Sequence, residues 1–412
     1  MHIVVLADHG HINGGQAKVA IDSAIGLAAR GHRVTFFVAV GPVDPRLLAA
    51  GIEVICLDQL DIASAGGAAG QMKFLVQTMW NRTAQTRLTD LLRGLDPGDT
   101  VIHIHAWAKA LSPSIGPAIR ASGLAAVYTM HEFFLVCPNG GFYDYPRAQP
   151  CHRVPMSMSC ISVNCDARTY PRKVMRLVRQ GVLDHVSGFK QAVRDVVMIS
   201  DLQMQVSSPY MPAGVRYHKV ANPIDAIDQG PKPAHGKDFL YVGRLSTEKG
   251  VAHFCEGARR AGVSPLIAGD GPLGAELRSK YPEARFLGWQ SPDQVRALMR
   301  DCRALVFPSV WYEGQPLTVY EALATGTPVI VSDVCAGREA VEDGVNGLWF
   351  TSTDAESLAV ALRRLSDDAE AARMTAETYR RYWAQPLTIG RHLDAIETVY
   401  QEALAARTNR AA

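Results

Sequence analysis

Two glutamates that stand eight positions apart flank a segment suited to binding an anion. Glu313 lies just before a predicted helix, and Glu321 lies on its second turn. The first-turn N–H groups of this helix, such as those of Leu317 and Thr318, lack partners within the helix, and with the helix dipole they favour a phosphate. Carboxylates are poor phosphate ligands but accept hydrogen bonds from hydroxyl groups. The segment therefore predicts a ligand that carries both a phosphate and a polyol.

The surrounding sequence predicts the elements that position this segment. An apolar run at residues 304–307 and a β-branched run at 328–331 are typical of buried parallel strands. Pro316 suits the first position of a helix, and Gly326 suits the left-handed residue just past its end. We therefore expect a short helix over residues 317–325 between two strands.

The spacing of the glutamates resembles a known signature. Glu313-x7-Glu321, with Gly314, Pro316 and Leu317 between, resembles the motif of retaining glycosyltransferases of the two-domain GT-B fold, family 4. The resemblance implies that Glu313 contacts hydroxyl groups of the donor sugar and that Glu321 holds the ribose. It also implies that the amides between them touch the phosphate.

A second motif, which is cationic, follows a predicted strand at residues 239–243. Arg244 and Lys249 flank a strand-to-helix turn, where two cations at the carboxyl edge of a sheet indicate an anion site. The pair resembles the R-x4-K element with which the family grips the donor diphosphate.

Residues 269–274 match the pattern GxGxxG, yet the context argues against a nicotinamide site. Such a site needs an acidic residue about 20 positions on, at the end of the next strand. That strand, at residues 284–287, is followed by Gly288 and Trp289 instead. The family resemblance places the turn containing Gly271 near the diphosphate, and Gly288 and Trp289 against the base.

The first half of the chain offers two further candidates. Gly14 and Gly15 separate an apolar strand from a helix at residues 16–30, a pattern that fits a plain tight turn as well as a ligand loop. The family places this loop against donor phosphates or acceptor. His131 ends a predicted strand at 125–131, and the family has a histidine here that reaches the donor sugar. The family's usual next residue is aspartate, whereas this chain has Glu132.

Strands alternate with helices in both halves, which predicts parallel sheets covered by helices on both faces. The expected fold is α/β, with two doubly wound Rossmann-like domains facing each other across a cleft. We assign residues 1–225 to the first domain and 226–385 to the second, with a linker at 224–237. Residues 386–412 should form a helix that returns to the first domain, as in GT-B enzymes. The longest helical pattern covers residues 71–92.

A loop at residues 132–170 interrupts the alternation and concentrates half of the cysteines. Because disulfides are rare in the cytosol, four clustered cysteines indicate a tetrahedral metal site, most readily zinc. Their spacing lacks paired CxxC motifs, so reduced free thiols fit equally well, and an iron–sulfur cluster is a third alternative. The four residues are Cys137, Cys151, Cys160 and Cys165.

Composition and charge limit the partners. A hydrophobic content of 48% and a net charge of +2 are those of a globular protein with no general attraction to nucleic acid. The chain shows neither a signal peptide nor an apolar run of membrane-spanning length, so we expect a cytoplasmic protein. Residues 147–179 carry seven basic residues against one aspartate. The helix that begins near Pro171 carries basic residues that fit either a solvated helix face or contact with anionic lipid at the inner face of a membrane. These residues are Arg172, Lys173, Arg176 and Arg179.

The combined pattern predicts a retaining transferase that moves a sugar from a UDP- or GDP-sugar to a glycan or lipid-linked acceptor. No two aspartates stand two positions apart, so the Asp-x-Asp metal motif of the other large glycosyltransferase fold is missing. We therefore expect no catalytic cofactor, with Glu313, His131, Arg244 and Lys249 as the catalytic group. Two alternatives stay open, a nucleotide-sugar epimerase of the same fold and a non-catalytic sugar-binding subunit.

Overall fold

The computed structural model contains two α/β domains, each built on one parallel sheet. It describes residues 1–59, 67–232 and 236–411, so residues 233–235 of the predicted linker lie outside the described chain. Within these ranges no helix combines the length and apolar character needed to cross a membrane.

The first domain has a seven-stranded sheet in the order β3-β2-β1-β4-β5-β8-β9, and a small hairpin, β6-β7, outside it. Its strands are β1 (His2–His9), β2 (Arg33–Val40), β3 (Glu53–Cys56), β4 (Thr100–Ile104), β5 (Ala125–Met130), β6 (Tyr143–Asp144), β7 (Gln149–Pro150), β8 (Asp195–Met198) and β9 (Arg216–Lys219). Its helices are α1 (Gly15–Ala29), α2 (Pro45–Ala49), α3 (Gly67–Met79), α4 (Arg82–Leu92), α5 (Ile115–Ser122), α6 (Met158–Ser162), α7 (Tyr170–His185), α8 (Phe189–Ala192) and α9 (Asp201–Ser207).

The second domain has a six-stranded sheet in the order β12-β11-β10-β13-β14-β15. Its strands are β10 (Phe239–Val242), β11 (Pro265–Ala268), β12 (Arg285–Gly288), β13 (Ala304–Phe307), β14 (Val329–Ser332) and β15 (Gly347–Phe350). The helices are α10 (Val251–Ala261), α11 (Gly274–Lys280), α12 (Pro292–Asp301), α13 (Leu317–Ala324), α14 (Ala355–Leu365), α15 (Asp368–Ala384) and α16 (Ile389–Ala411). Short 3₁₀ segments cover Phe133–Leu135, Tyr145–Arg147, Ser208–Tyr210, Thr247–Lys249 and Ala336–Ala340.

Apolar cores cover both faces of each sheet, which explains why the central strands read as continuous apolar runs. The predicted fold class is thus confirmed, including the helix that returns to the first domain. Helix α16 places Leu393, Ile396 and Tyr400 in the same core as β1. The Tyr400 hydroxyl also forms a 2.6 Å hydrogen bond with Nδ1 of His103 on β4.

Three local predictions were wrong. The helix expected over residues 71–92 is two helices, because the side chain of Asn81 caps α4 by accepting from the Ala84 amide at 3.0 Å. Pro316 is the residue before α13 rather than its first residue. The segment at 132–170, which was expected to be a loop, contains the hairpin β6-β7 and helix α6.

The docking of α16 predicts a stability effect in the first domain. Leu393 is 3% exposed, so Leu393→Ala should cost about 2–5 kcal/mol through lost burial and a residual cavity. The matched change at Leu48, which is 60% exposed on α2, should cost no more than about 0.5 kcal/mol. Urea unfolding followed by circular dichroism measures both, and equal losses would contradict the docking.

Candidate functional site

Lys249 and Glu313 meet at the carboxyl edge of the second sheet. The Lys249 ammonium donates to Oε1 of Glu313, and the Ser309 hydroxyl donates to the same oxygen at 3.1 Å. The ammonium also lies 5.3 Å from the centre of the Trp311 ring, a cation–π contact. Two residues predicted from separate motifs therefore form one charged pair, which the sequence did not predict.

Arg244 begins the loop that ends in Lys249. Its side chain is exposed, and its guanidinium has no hydrogen bond or ion pair to residues in the described ranges. The Tyr241 hydroxyl holds the backbone by donating to the Arg244 carbonyl at 2.8 Å. A fixed backbone with a free guanidinium suits an incoming anion.

Gly271 lies against this loop. A Cβ atom on Gly271 would be 2.5 Å from the Leu245 carbonyl oxygen, too close for any side chain. The Leu245 amide also donates to the Asp270 carbonyl at 3.0 Å. The glycine is required here because two backbone segments pack together, and this packing sets the turn after β11 beside the Arg244 loop.

The N-terminus of α13 faces the first domain. In the described structure no side chain caps this end, so the amides of Leu317 and Thr318 keep the free positions of a first turn. A Cβ atom on Gly15 would lie 3.1 Å from Cδ1 of Leu317, whereas one on Gly14 would meet no described atom within 4 Å. The Gly14-Gly15 loop and α13 therefore form opposite walls of the cleft.

Glu321 lines a cavity of about 280 Å³ together with Asp225, Trp289 and Arg296. Burial raises the pKa of the Glu321 carboxyl group, and the nearby cations Lys18 and Arg296 partly oppose that rise. In the part of the chain that the structure describes, this carboxylate has no hydrogen-bond partner. It is therefore available to accept hydrogen bonds from ligand hydroxyls.

Trp289 forms the outer wall of that cavity. Its ring is 72% exposed, and its amide donates to Oδ2 of Asp270 at 2.8 Å. Gly288 before it has a φ of +70°, which favours glycine. An exposed aromatic face on a fixed turn is suited to stacking against a planar base.

His131 follows β5 on the first-domain side. Its Nε2 is 3.1 Å from Nδ1 of His105, and burial lowers the pKa of His131 to about 3. The imidazole is therefore neutral at physiological pH and can exchange hydrogen bonds with a hydroxyl group without carrying charge.

Gln315 is a structural residue that the sequence analysis missed. Its side chain accepts from the Asn222 amide at 2.6 Å and donates to the Asn222 carbonyl at 3.2 Å, which ties the motif to the exit of the first domain. Gly314 beside it leaves room for Ile199, since a Cβ would lie 3.0 Å from Cδ1 of that residue. Gln315 is uncharged and belongs to no spacing pattern, so only the structure reveals its role.

The predicted lipid-facing basic surface on α7 is wrong for three of its four residues. Lys173 is 1% exposed. Arg176 pairs with Asp166 at 3.1 Å, and Arg179 donates to the Ala108 carbonyl at 2.7 Å. Arg172 alone of the four is exposed. Helical spacing could not distinguish cations that face solvent from cations that face the cysteine loop.

The four loop cysteines come together around one small cavity. Across residues 1–59, 67–232 and 236–411, however, no group of three or more histidine, cysteine, aspartate or glutamate side chains is arranged to hold a metal ion. The thiols are therefore neighbours without being preformed as a tetrahedral site.

Comparison with known proteins finds similarity in the part of the chain that contains Arg244, Lys249, Glu313 and Glu321. Residues 224–382 match the family model for glycosyl transferases group 1. The chain is 25% identical over 205 residues to the O-antigen chain mannosyltransferase C of Escherichia coli, covering 48% of this chain and 55% of the relative. It is 28% identical over 208 residues to the UDP-Gal:alpha-D-GlcNAc-diphosphoundecaprenol alpha-1,3-galactosyltransferase of Escherichia coli, covering 46% of this chain and 53% of the relative.

These alignments span about half the length of either relative. The fold is similar over the whole chain to that of HepE from Anabaena in complex with UDP and glucose. That match has a TM-score of 0.66 at 17% identity and covers 97% of this chain and 99% of HepE. It shows that the two domains have the GT-B arrangement.

The partly buried carboxylate of Glu321 predicts a pH-dependent stability difference. Because its pKa is raised above 4.5 in the folded state, ionisation destabilises the ligand-free protein as pH rises from 4.5 through the folded pKa. Glu321→Gln should therefore raise the unfolding midpoint more at pH 7.5 than at pH 5. Glu313→Gln, which removes the partner of Lys249, should give no such gain. Thermal unfolding of ligand-free protein at both pH values measures this, and a gain independent of pH would refute it.

Proposed function

We propose that this protein is a retaining glycosyltransferase of family 4, transferring a sugar from a nucleoside diphosphate donor to a glycan or lipid-linked acceptor. The observation that carries the proposal is a grouping at one sheet edge of two carboxylates, a helix N-terminus and an arginine, where neither the helix end nor the guanidinium has a side-chain partner among the described residues. Arg244, Lys249 and α13 provide positive charge, while Glu313 and Glu321 provide hydroxyl acceptors at either end.

The leaving nucleoside diphosphate gains negative charge, which fixed groups can stabilise without a metal. Arg244 supplies a fork of donors and Lys249 a compact charge. The first-turn amides of α13 add the positive end of a helix dipole. We infer that catalysis needs no added divalent cation.

The sugar would lie between Glu313 and His131. Glu313 accepts hydrogen bonds from sugar hydroxyls, and the neutral imidazole of His131 approaches from the opposite domain. The nucleoside would occupy the cavity beside Glu321, with its ribose on the carboxylate and its base against Trp289. UDP-sugars are the first donors to test, because one similar structure contains UDP and one relative is named for UDP-Gal.

The acceptor would approach through the first domain. A cavity of about 250 Å³ between α3 and α7 is lined mainly by apolar groups, including Phe74 and Phe134, with Arg172 and Arg176 also lining it. Apolar walls and cations suit an acceptor that carries a lipid and a phosphate. An anionic membrane surface is a further proposed partner on this side, through the exposed Arg172 and its apolar neighbours Val174 and Val178.

Removing one cation should slow turnover while leaving the fold intact. Arg244→Ala or Lys249→Ala should lower kcat by roughly 10²–10³, the usual loss for one donor to a developing negative charge. Arg260→Ala and Lys280→Ala, which change exposed cations on α10 and α11, are the matched controls and should stay near wild type. The same assay, kept short, should continue in excess EDTA, provided that any structural zinc is shown to stay bound. Strict dependence on magnesium or manganese, with Arg244→Ala fully active, would overturn the mechanism.

The two glutamates should give different kinetic defects. Glu321→Ala should mainly weaken donor binding through the lost ribose contact, whereas Glu313→Ala should mainly lower kcat, because contacts to the migrating sugar strengthen in the transition state. Steady-state kinetics together with donor titration separate the two effects. Near-wild-type values in both variants would rule out the assignment.

The reaction type can be tested directly. A nucleotide-sugar screen by thermal shift identifies the donor, because a ligand of the folded state raises its stability. Proton NMR of the product should then show the donor's anomeric configuration. An epimerase would instead convert the donor in the absence of acceptor, and a sugar-binding subunit would bind it without turnover.

A further inference from the structure

We propose that Cys137, Cys151, Cys160 and Cys165 form a structural zinc site that holds the loop at residues 132–170. All four cysteines line one cavity, although they come from different parts of the loop. Cys137 follows the first 3₁₀ segment, Cys151 follows β7, Cys160 lies in α6 and Cys165 comes after it. Four thiols enclosing one cavity are the donor set of a tetrahedral zinc site.

The backbone already fixes the positions of these cysteines. The Cys137 amide donates to the Phe133 carbonyl at 2.8 Å, and the Cys151 amide donates to the Phe142 carbonyl at 2.6 Å. The Asn139 side chain donates to the Cys165 carbonyl at 2.8 Å. These hydrogen bonds anchor the backbone beside three of the four cysteines.

The independent observation is a buried lysine that faces the sulfurs. Lys173 is 1% exposed, and its Nζ lies 3.0 Å from Sγ of Cys165 and 3.9 Å from Sγ of Cys160. Its other acceptors are the carbonyls of Cys160 and Val163, and no carboxylate in the described ranges pairs with it. A buried ammonium group is costly unless an anion faces it. Zinc-bound cysteines are thiolates and would supply that anion.

Other donors also point at the sulfurs. Nη1 of Arg153 lies 3.6 Å from Sγ of Cys151, and Nδ2 of Asn139 lies 3.7 Å from Sγ of Cys165. Zinc with four thiolates carries a net double negative charge, which Lys173 would partly offset, whereas Arg153 is already paired with Asp144 at 3.0 Å. Hydrogen-bond donors around the ligands are the usual second layer of a metal site.

The cavity between the cysteines is small. The free space at its centre is about 10 Å³, close to the volume of one water-sized particle. The described side chains are not yet arranged as a metal site. Zinc would draw the sulfurs to about 2.3 Å from a common centre and release the thiol protons to solvent.

The site would order one wall of the cleft. A Cβ atom on Gly141 would lie 3.1 Å from the Trp311 ring, and Nδ1 of His152 is 3.4 Å from the Tyr312 hydroxyl. Trp311 and Tyr312 come directly before Glu313. Zinc would therefore support the segment that carries this glutamate, whatever reaction the cleft performs.

Metal content tests the proposal without an activity assay. The full chain, purified without chelator or histidine tag, should contain about one zinc per molecule by plasma mass spectrometry. Replacement with Co²⁺ should give the intense sulfur-to-cobalt charge-transfer absorption of tetrathiolate coordination. Cys160→Ser or Cys165→Ser should lose the metal, whereas Cys255→Ser and Cys302→Ser, at buried cysteines of the second domain, should keep it.

Lys173→Met separates zinc binding from folding. The variant should keep the zinc stoichiometry but bind the metal at least tenfold more weakly in a chelator competition, because a donor to two sulfurs is lost. Wild-type protein that contains no zinc, takes up none when titrated and shows eight titratable thiols after unfolding would overturn the proposal. Iron with inorganic sulfide, or a disulfide within the loop, would overturn it as well.

Discussion

The segment between β13 and α13 depends on one buried pair, the side chain of Gln315 with the backbone of Asn222. Gln315 and Asn222 are 7% and 4% exposed, and the two hydrogen bonds satisfy both backbone polar groups of Asn222. An unsatisfied buried group costs about 1–3 kcal/mol, so the pair strongly favours one position of this segment. Glu313 therefore points towards Lys249, and Pro316, the residue just before α13, leaves the first-turn amides of Leu317 and Thr318 facing the first domain.

Without a ligand, the negative charges of the two glutamates are compensated differently. Glu313 is balanced by Lys249, whose side chain is 26% exposed and therefore accessible to an incoming anion. Glu321 has no partner in the described chain, and burial disfavours its charge. Ligand hydroxyls would relieve that penalty, whereas Glu313 already has a charged partner.

Sequence patterns predicted the strands and helix ends that are determined by residues close together along the chain. Apolar runs located the main parallel strands, and the cap residues located α13 to within one residue at either end. Patterns failed where contacts are distant in sequence. The pairing of Lys249 with Glu313 and the burial of Lys173 depend on how separate loops pack, and no periodicity encodes that. Asn81 separates α3 from α4 because its side chain caps α4, which the continuous helical pattern over residues 71–92 concealed.

The contacts that join the two domains differ in strength, and this difference determines where the domains can move apart. Helix α16 is held in the first domain by buried apolar side chains such as Leu393 and Ile396. At the cleft rim, exposed Glu339 accepts from the amides of Asp201 and Leu202 at 3.0 and 2.8 Å. Polar contacts at an exposed rim exchange readily with water, whereas a buried helix face does not. A change in domain spacing would therefore break the Glu339 contacts first and leave α16 docked, so the domains would separate at the mouth of the cleft.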